Sequence, residues 1–263
     1  MSLTVASWNV NSIKARLPNV CDWLQSTATD VVCMQEIKTV DEGFPRLEIE
    51  ALGYNVETVG QKSYNGVAIV SKRPIEEIAE RVLPGQEDEP QARYIEAVIS
   101  AEHGPVRVAS IYLPNGNPAP GPKYDYKLDW MARLKTHAAR LLTFEEPVIL
   151  AGDYNIIPRD IDVHDAAAWE GDALIRQQSR DAFNAIKWLG YTEAFEAIDG
   201  RAHQYTFWDY QAGAWQKNNG IRIDHLLLSP QAADALTGIT IDRAPRGREK
   251  ASDHTPIIGT FDL

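Results

Sequence analysis

A chain of 263 residues with 44% hydrophobic and 24% charged side chains has a globular composition, which excludes a disordered, collagen-like or disulfide-stapled protein. Its 26 basic and 37 acidic residues leave a formal net charge of −11, so no overall field draws it to nucleic acid or to an anionic membrane. A local basic face is compatible with that total. Cys21 and Cys33 are too few for a disulfide framework and sit in apolar segments, where they read as small hydrophobes and not as catalytic thiols.

In chain order, residues 3–8 form a β-branched, apolar run of strand length. No charged-then-apolar leader precedes it and no apolar run of membrane-spanning length follows, so the expectation is a soluble, cytoplasmic protein. Next, Ile13, Leu17, Cys21 and Leu24 recur at helical spacing. Pro18 fits only in a first turn, which places the start of that helix near Arg16. Strands are expected at 31–35, 66–71, 94–100 and 106–113, and the breaker-rich stretch 115–122 reads as a surface loop. The clearest helix covers 124–142, with Leu128, Met131, Leu134, Ala138 and Leu141 as its apolar stripe. A strand at 148–152, a helix at 179–189 stopped by Gly190, and strands at 223–228 and 257–261 complete the chain. Residues 66–113 are almost all strand and turn, which excludes regular βαβ alternation. An α/β fold of mixed, mostly antiparallel sheets covered by helices fits, in one domain over 1–263, since no linker or repeat divides the sequence.

The chemistry-bearing residues stand where apolar strands end. Val148-Ile149-Leu150-Ala151 leads into Gly152-Asp153-Tyr154-Asn155, a carboxylate and an amide two residues apart on one side of an extended chain. The same construction recurs at Ser7-Trp8-Asn9, at Gln35-Glu36, at Ile111-Tyr112, at Ile223-Asp224 and at Ser252-Asp253-His254. Singly, each acid reads as a turn cap, His254 as a hydrogen-bonded histidine and Tyr112 as a half-buried strand aromatic. Together, the hard oxygens of Glu36, Asp153 and Asp253, with Asn9 and Asn155, suit Mg²⁺ or Mn²⁺ and not a thiolate-rich zinc site. His254 adds acid–base capacity beside them.

The ordered set Ser7-Trp8-Asn9-Val10-Asn11, Gln35-Glu36-Ile37-Lys38, Tyr112-Leu113-Pro114-Asn115-Gly116, Gly152-Asp153-Tyr154-Asn155-Ile156, Arg222-Ile223-Asp224 and Ser252-Asp253-His254-Thr255-Pro256 resembles bacterial exonuclease III. That is the apurinic/apyrimidinic (AP) endonuclease family of base-excision repair. Gly-Asp-x-Asn and Ser-Asp-His recur across the wider DNase I-like superfamily. Gln-Glu-x-Lys and Asn-x-Gly-x-Arg-Ile-Asp (Asn218 to Asp224) mark the repair branch.

The resemblance implies a four-layer α/β sandwich, two mixed sheets face to face with helices outside and the site at one rim. It implies a Mg²⁺-dependent enzyme, Mn²⁺ being the substitute, that hydrolyses phosphodiesters of double-stranded DNA at abasic sites or blocked 3′ ends. Such an enzyme has 3′–5′ exonuclease and 3′-phosphatase activity and meets the nucleoid only through DNA. Glu36 is then the principal metal ligand, with Asn9, Asp153, Asn155 and Asp253 in or just outside the coordination sphere. Asp153 deprotonates the attacking water, Asn155 holds a phosphate oxygen, and His254, held by Asp224, hydrogen-bonds the phosphate or acts as base. Tyr112 supports the transition state as phenol or phenolate. Tyr205, Thr206, Phe207, Trp208 and Ile221 align with positions lining the pocket for an extruded sugar, although composition alone reads Phe207 and Trp208 as core aromatics.

Candidate phosphate contacts are Arg93, Lys123, Lys217, Arg222, Arg246, Arg248 and Lys250, with Lys62 and Lys127 balanced against a solvated scatter of charge. A monomer is the default. One alternative is a phosphoinositide or sphingomyelin phosphodiesterase, for which no basic amphipathic helix is present. Another is a 3′-end trimming enzyme with little AP incision, its balance set by the loop 165–178 that carries Trp169. A third, a catalytically silent DNA-binding scaffold, is opposed by the presence of Glu36, Asp153 and His254 together.

Overall fold

The computed structural model of the chain describes residues 2–88 and 91–263. The order of elements is β1 (Leu3–Asn9), α1 (Ile13–Thr27), β2 (Val31–Gln35), α2 (Arg46–Glu50), β3 (Asn55–Val59), β4 (Val67–Ser71), β5 (Ile75–Glu80), β6 (Tyr94–Ala101) and β7 (Gly104–Tyr112). There follow α3 (Pro122–Leu142), β8 (Val148–Asp153), α4 (Gln177–Lys187), β9 (Thr192–Glu193), α5 (Ala194–Ile198), α6 (Ala214–Lys217), β10 (Asp224–Leu228), α7 (Pro230–Asp234), β11 (Leu236–Ile241) and β12 (Ile257–Phe261). Two six-stranded sheets result, ordered β11-β12-β1-β2-β4-β3 and β5-β6-β7-β8-β10-β9. Each has one parallel pair at its centre, β1–β2 and β7–β8, crossed over by α1 and α3, and its other pairings are antiparallel. The architecture is the expected α/β sandwich.

Alternation along the strands builds three cores between four layers. Val5, Cys33, Val108, Ile149 and Leu226 face inward and fill the space between the sheets. Their outward neighbours Trp8, Val32 and Met34 pack on Trp23 and Leu24 of α1. On the other sheet, Ile111, Leu150 and Leu227 pack on Trp130 and Leu134 of α3 and on Phe183 of α4. Cys33 is fully buried and its thiol pKa is pushed up by burial, as a small hydrophobe requires. Among the described residues no helix is long and apolar enough to cross a membrane.

The eight expected strands are the eight interior ones. The four unexpected strands, β3, β5, β9 and β11, are the four sheet edges. An edge strand faces water along one side and needs no continuous apolar run; β5 carries Glu76, Glu77 and Glu80, charges that discourage pairing with another chain.

Two helix details also depart from expectation. α1 begins at Ile13, not near Arg16, because Ser12 caps it by accepting from the Ala15 N–H, and Pro18 sits in its second turn. An internal proline costs about 3 kcal/mol, offset here by burial of Ile13, Val20, Trp23 and Leu24. On α3 the buried stripe includes Tyr124 and Lys127, while Leu128 is only half-buried.

Candidate active site

The inward-facing columns change character along their length. Above the apolar layer lies an uncharged polar one, where Ser7 Oγ donates to Gln35 Oε1 (3.3 Å) and Gln35 Nε2 donates to Ser110 Oγ (3.1 Å). Two residues further along, the same columns reach Asn9, Tyr112 and Asp153 at the C-terminal ends of β1, β7 and β8, and Asp224 at the N-terminal end of β10. The parallel pairs and antiparallel β10 and β12 bring these ends to one rim. Asn9 Nδ2 bridges the sheets there, donating to Glu36 Oε1 (2.8 Å) and to Asp153 Oδ2 (2.9 Å).

A cavity of about 270 Å³ opens at this rim. Its floor is Glu36, Tyr112, Asp153, Asn155, Asp253 and His254, and its wall includes Phe207, Ile221, Ile223, Trp169 and Leu174. His254 Nδ1 lies 2.8 Å from Asp224 Oδ2, which leaves Nε2 facing Asp153 Oδ2 at 3.7 Å. The Phe207 ring packs edge-on against His254, centroids 5.0 Å apart. Glu36 and Asn155 both have left-handed backbone, φ 51° and 48°. Such geometry costs roughly 1–2 kcal/mol per non-glycine residue. The extended stretch expected from Asp153 to Asn155 is therefore a turn, closed by the Asn155 N–H donating to Asp153 Oδ1 at 2.9 Å.

Charge at the site is unbalanced. Burial, reinforced by Asp224, pushes the Asp153 carboxyl up to about 7, against the opposing pull of His254. Burial opposes charge on His254 as well, yet Asp224 and Asp153 together push it up to about 10. Burial and the neighbouring Glu36 and Asp153 raise Tyr112 well above the ordinary phenol value, so a neutral phenol is favoured over the phenolate. Glu36 stays below its ordinary value despite burial because Asn9 and Lys38 donate to it.

The donor set fits a divalent cation. Asp153, Asp224 and His254 present ligand atoms within 4.8 Å of one another, but His254 Nδ1 and Asp224 Oδ2 bond each other, so of the two carboxylates it is Asp153 that lines the cavity beside the oxygens of Glu36, Asn155 and Asp253. Glu36 Oε2 already holds a cation, the Lys38 ammonium, at 2.7 Å. Glu36, Asp153, Asp224 and Asp253 gather with only Lys38 and His254 as basic groups beside them, an excess of acid that a divalent ion would relieve. One oxygen of the fully buried Asp224, Oδ1, has no hydrogen-bond partner.

Several expected residues have other places. Asn9 is fully buried and does not line the cavity; its Oδ1 accepts from the Asn11 N–H (3.0 Å) while its Nδ2 clamps two carboxylates. Arg222 is 0% exposed and ion-paired to Asp162 and Glu193 at 3.1 Å each, which takes it out of reach of DNA. Trp208 is also 0% exposed, packed against Tyr205 and Trp215 and outside the cavity lining. Lys127 is buried beneath the site, its Nζ donating to the carbonyls of Asn115 (3.0 Å) and Asn155 (2.6 Å). Arg246 is largely buried and donates to Trp208 O. Lys62, Lys123, Lys217 and Lys250 are exposed, Arg248 is half-buried, and Arg93 stacks on the Tyr112 ring at 4.8 Å.

Sequence reasoning missed Asn115, Asn117, Asp172 and Leu174 as cavity residues. Asn115 Nδ2 donates to Asn155 Oδ1 (3.1 Å), and Asn117 Nδ2 donates to Asp172 (3.1 Å), so the loops after β7 and after residue 165 are tied across the opening. Asn115 and Gly116 stood in a recognised motif; Asp172 had no signal. Gly116, at φ +91°, lies so close to Lys127 that an added Cβ would stand 2.6 Å from Lys127 Cδ.

The profile of the endonuclease/exonuclease/phosphatase family matches residues 6–254. Exodeoxyribonuclease III of Haemophilus influenzae is 30% identical over 97% of this chain and 98% of its own length. An AP endonuclease structure from Archaeoglobus fulgidus superposes with a TM-score of 0.93 at 34% identity, covering 99% of this chain and all of its own. A 3′ phosphatase from Neisseria, solved with a product DNA hairpin, superposes with a TM-score of 0.95 at 34% identity over the same shares.

Proposed function

Because the chain belongs to the endonuclease/exonuclease/phosphatase family, as an enzyme of the exonuclease III type, we propose that it is a Mg²⁺-dependent DNA repair nuclease acting at abasic sites of duplex DNA. Exonuclease and 3′-phosphatase activity belong to the same reading, as does one catalytic domain working as a monomer. The observation that carries it is the juxtaposition, in one cavity of about 270 Å³, of the Asp153–His254 pair with an apolar wall of Phe207, Ile221, Trp169 and Leu174. A deoxyribose without its base meets apolar surface there, and a nucleotide lacking stacking is the cheapest to extrude.

Glu36, Asp153, Asn155 and Asp253 are the residues that would hold the cation, which when bound supplies charge stabilisation for phosphate oxygens and an acidified water. The protein's own groups do the rest. Asp153 accepts the proton of the attacking water as the water oxygen bonds to phosphorus and the opposite P–O bond breaks, the leaving sugar oxygen taking a proton from solvent water. His254, its Nδ1 held by Asp224, directs Nε2–H at a non-bridging oxygen, which gains charge in the transition state. Tyr112, on the same floor, donates to the phosphate as a phenol. Asn155 keeps one amide proton for the phosphate after donating to Leu113 O.

A second reading, 3′-end trimming with little AP incision, is favoured by Trp169 and Leu174, which narrow the wall from the loop 165–178, and by likeness to the Neisseria phosphatase. One assay tests both. Duplexes carrying a single abasic analogue or a 3′-phosphate are incubated with and without EDTA, using wild type, Asp153→Ala, His254→Ala and a loop-shortened variant. Cleavage should require metal and fall at least ~10³-fold in both point variants, and loop shortening should raise the ratio of incision to trimming. Metal-independent cutting, or full activity in Asp153→Ala, would overturn the mechanism; an unchanged ratio would remove the loop from it.

A further inference from the structure

Around the corner from the catalytic cavity, a second cavity of about 350 Å³ is lined by Arg16 from α1, Tyr210, and Arg246, Arg248, Lys250 and Ala251 from the segment before Asp253. Four cations meet there in a chain of net charge −11. Their own acidic company is thin. Arg248 Nη1 has an ion pair with Asp22 at 3.5 Å, and Asp22 is 69% exposed. Asp209 and Asp253 act on Arg246 only at range.

Three of the guanidinium nitrogens, Arg16 Nε, Arg246 Nε and Arg248 Nη1, are shielded from solvent and make no hydrogen bond. Arg246 is 8% exposed, held by Trp208 O and by the faces of Tyr210 and Trp215. Converging cations repel. An anion in the cavity relieves that repulsion, and a tetrahedral oxyanion suits several converging N–H groups.

The cavity is linked to the catalytic site by hydrogen bonds through Asn11 and the chain from Ala251 to Asp253. Tyr210 Oη accepts from Arg16 Nη2 (2.9 Å) and from Asn11 Nδ2 (3.3 Å), and donates to Ala251 O (2.8 Å). The same Asn11 Nδ2 reaches Asp253 Oδ1 (3.1 Å), and Ser252 Oγ donates to Asn9 O (2.7 Å). A group bound by Arg16 and Lys250 is therefore at a fixed offset from Asp253 and His254.

We propose that this cavity is a phosphate pocket that grips one backbone phosphodiester of the substrate strand, setting the register that delivers the scissile bond to His254. The proposal rests on the reading of the protein as a DNA enzyme and adds to it a discrete, single-phosphate subsite. Arg16, which sequence reasoning did not single out, closes it.

The test is a scan of abasic-analogue duplexes in which each flanking phosphate in turn is replaced by a neutral methylphosphonate. Affinity is measured in EDTA for wild type, Arg16→Gln and Lys250→Ala, with thermal melts to show that both variants fold. One position should weaken wild type about fivefold or more, and in each variant that same replacement should cost clearly less than in wild type, while the other positions cost the same. The slope of log affinity against log salt should also fall by about one. Losses that stay additive at every position, or variants that bind as wild type, would overturn the pocket while wild-type cleavage of the abasic duplex leaves the enzymatic reading standing. Failure of wild type to bind the duplex at all would remove both. Relief of the Arg16→Gln defect by inorganic phosphate, with no position singled out, would count against the strand and for a free anion.

Discussion

Strand β10 carries two buried ionic clusters on its opposite faces, and consecutive residues belong to different ones. Asp224 points to His254 beside the cavity, where Glu36, Asp153, Asp224 and Asp253 gather with only Lys38 and His254 as basic partners. His225 faces away, into a closed cluster in which Asp162, Glu193 and Glu196 meet Arg159, Arg222 and Lys187, three against three. There, Arg222 Nη1 donates to His225 Nδ1 (3.0 Å), and His225 Nε2 in turn lies 3.0 Å from Ile156 O. Asp153 and Glu193 are both buried, yet the two carboxyls move in opposite directions. Burial wins at Asp153 and raises it to about 7, whereas at Glu193 the Arg222 charge overcomes burial and holds the carboxyl at about 2. A balanced cluster is a clamp. An unbalanced one beside a cavity is poised to take up charge, which is what a phosphoryl-transfer site must do.

The sharpest way to break this distinction is to remove one member from each cluster. Asp153→Ala should abolish cleavage while leaving the melting temperature unchanged or raised, because it deletes a carboxylate crowded by Asp224. Arg222→Met should do the reverse. It strands Asp162 and Glu193 without their buried cation, a loss of about 3–5 kcal/mol, while kcat measured below the new melting point stays within a few-fold of wild type. Urea denaturation and steady-state kinetics on the two variants read both axes. If Arg222→Met loses activity without losing stability, the clamp is part of the chemistry and the comparison fails.

Acid separates the clusters more gently. Glu193 is held at about 2 against an ordinary 4.5, so its contribution is fully present above about pH 4.5 and is lost as pH falls towards 2. Two and a half units correspond to about 3 kcal/mol. In Glu193→Gln the stability difference between pH 5 and pH 2 should shrink by that order. An identical acid dependence in wild type and variant would show that the ion pair contributes nothing in the folded state.

What the sequence revealed follows the same line between balanced and unbalanced groups. Interior strands were legible because burial on both faces demands apolar runs; the edges β3, β5, β9 and β11 were not, because water tolerates their mixed composition. Glu36, Asp153, Asp224 and His254 stood out as polar ends on apolar strands. Arg222 looked the same in one dimension, and only its burial shows that its charge is spent on Glu193 and Asp162. Asp172 and Leu174 reach the cavity from an irregular loop with no periodicity to betray them. Lys127 did leave a trace, a lysine on the buried face of α3 between Tyr124 and Met131, which an apolar stripe does not admit without a partner.

That lysine joins the two kinds of cluster and gives the smallest of the expected effects. Its ammonium is fully buried like Arg222, but its partners are the main-chain carbonyls of Asn115 and Asn155, the two loops that frame the catalytic cavity. Burial, opposed by Asp153 and Asp172, lowers its pKa to about 7. A clamp that holds loops, and not charges, should cost precision before stability. Lys127→Met removes both bonds, frees Asn155 to drift, and should lower kcat ~10–100-fold, the scale of an ångström of misplacement. KM for an abasic duplex should change little, because the outer phosphate contacts are untouched. Lys127→Arg can restore the donors only if the Asn115-Gly116 turn gives way, since Gly116 already packs on the lysine stem. A fall in KM-dependent binding with kcat unchanged would instead make Lys127 part of the DNA surface, and would move it from the frame of the site to its substrate.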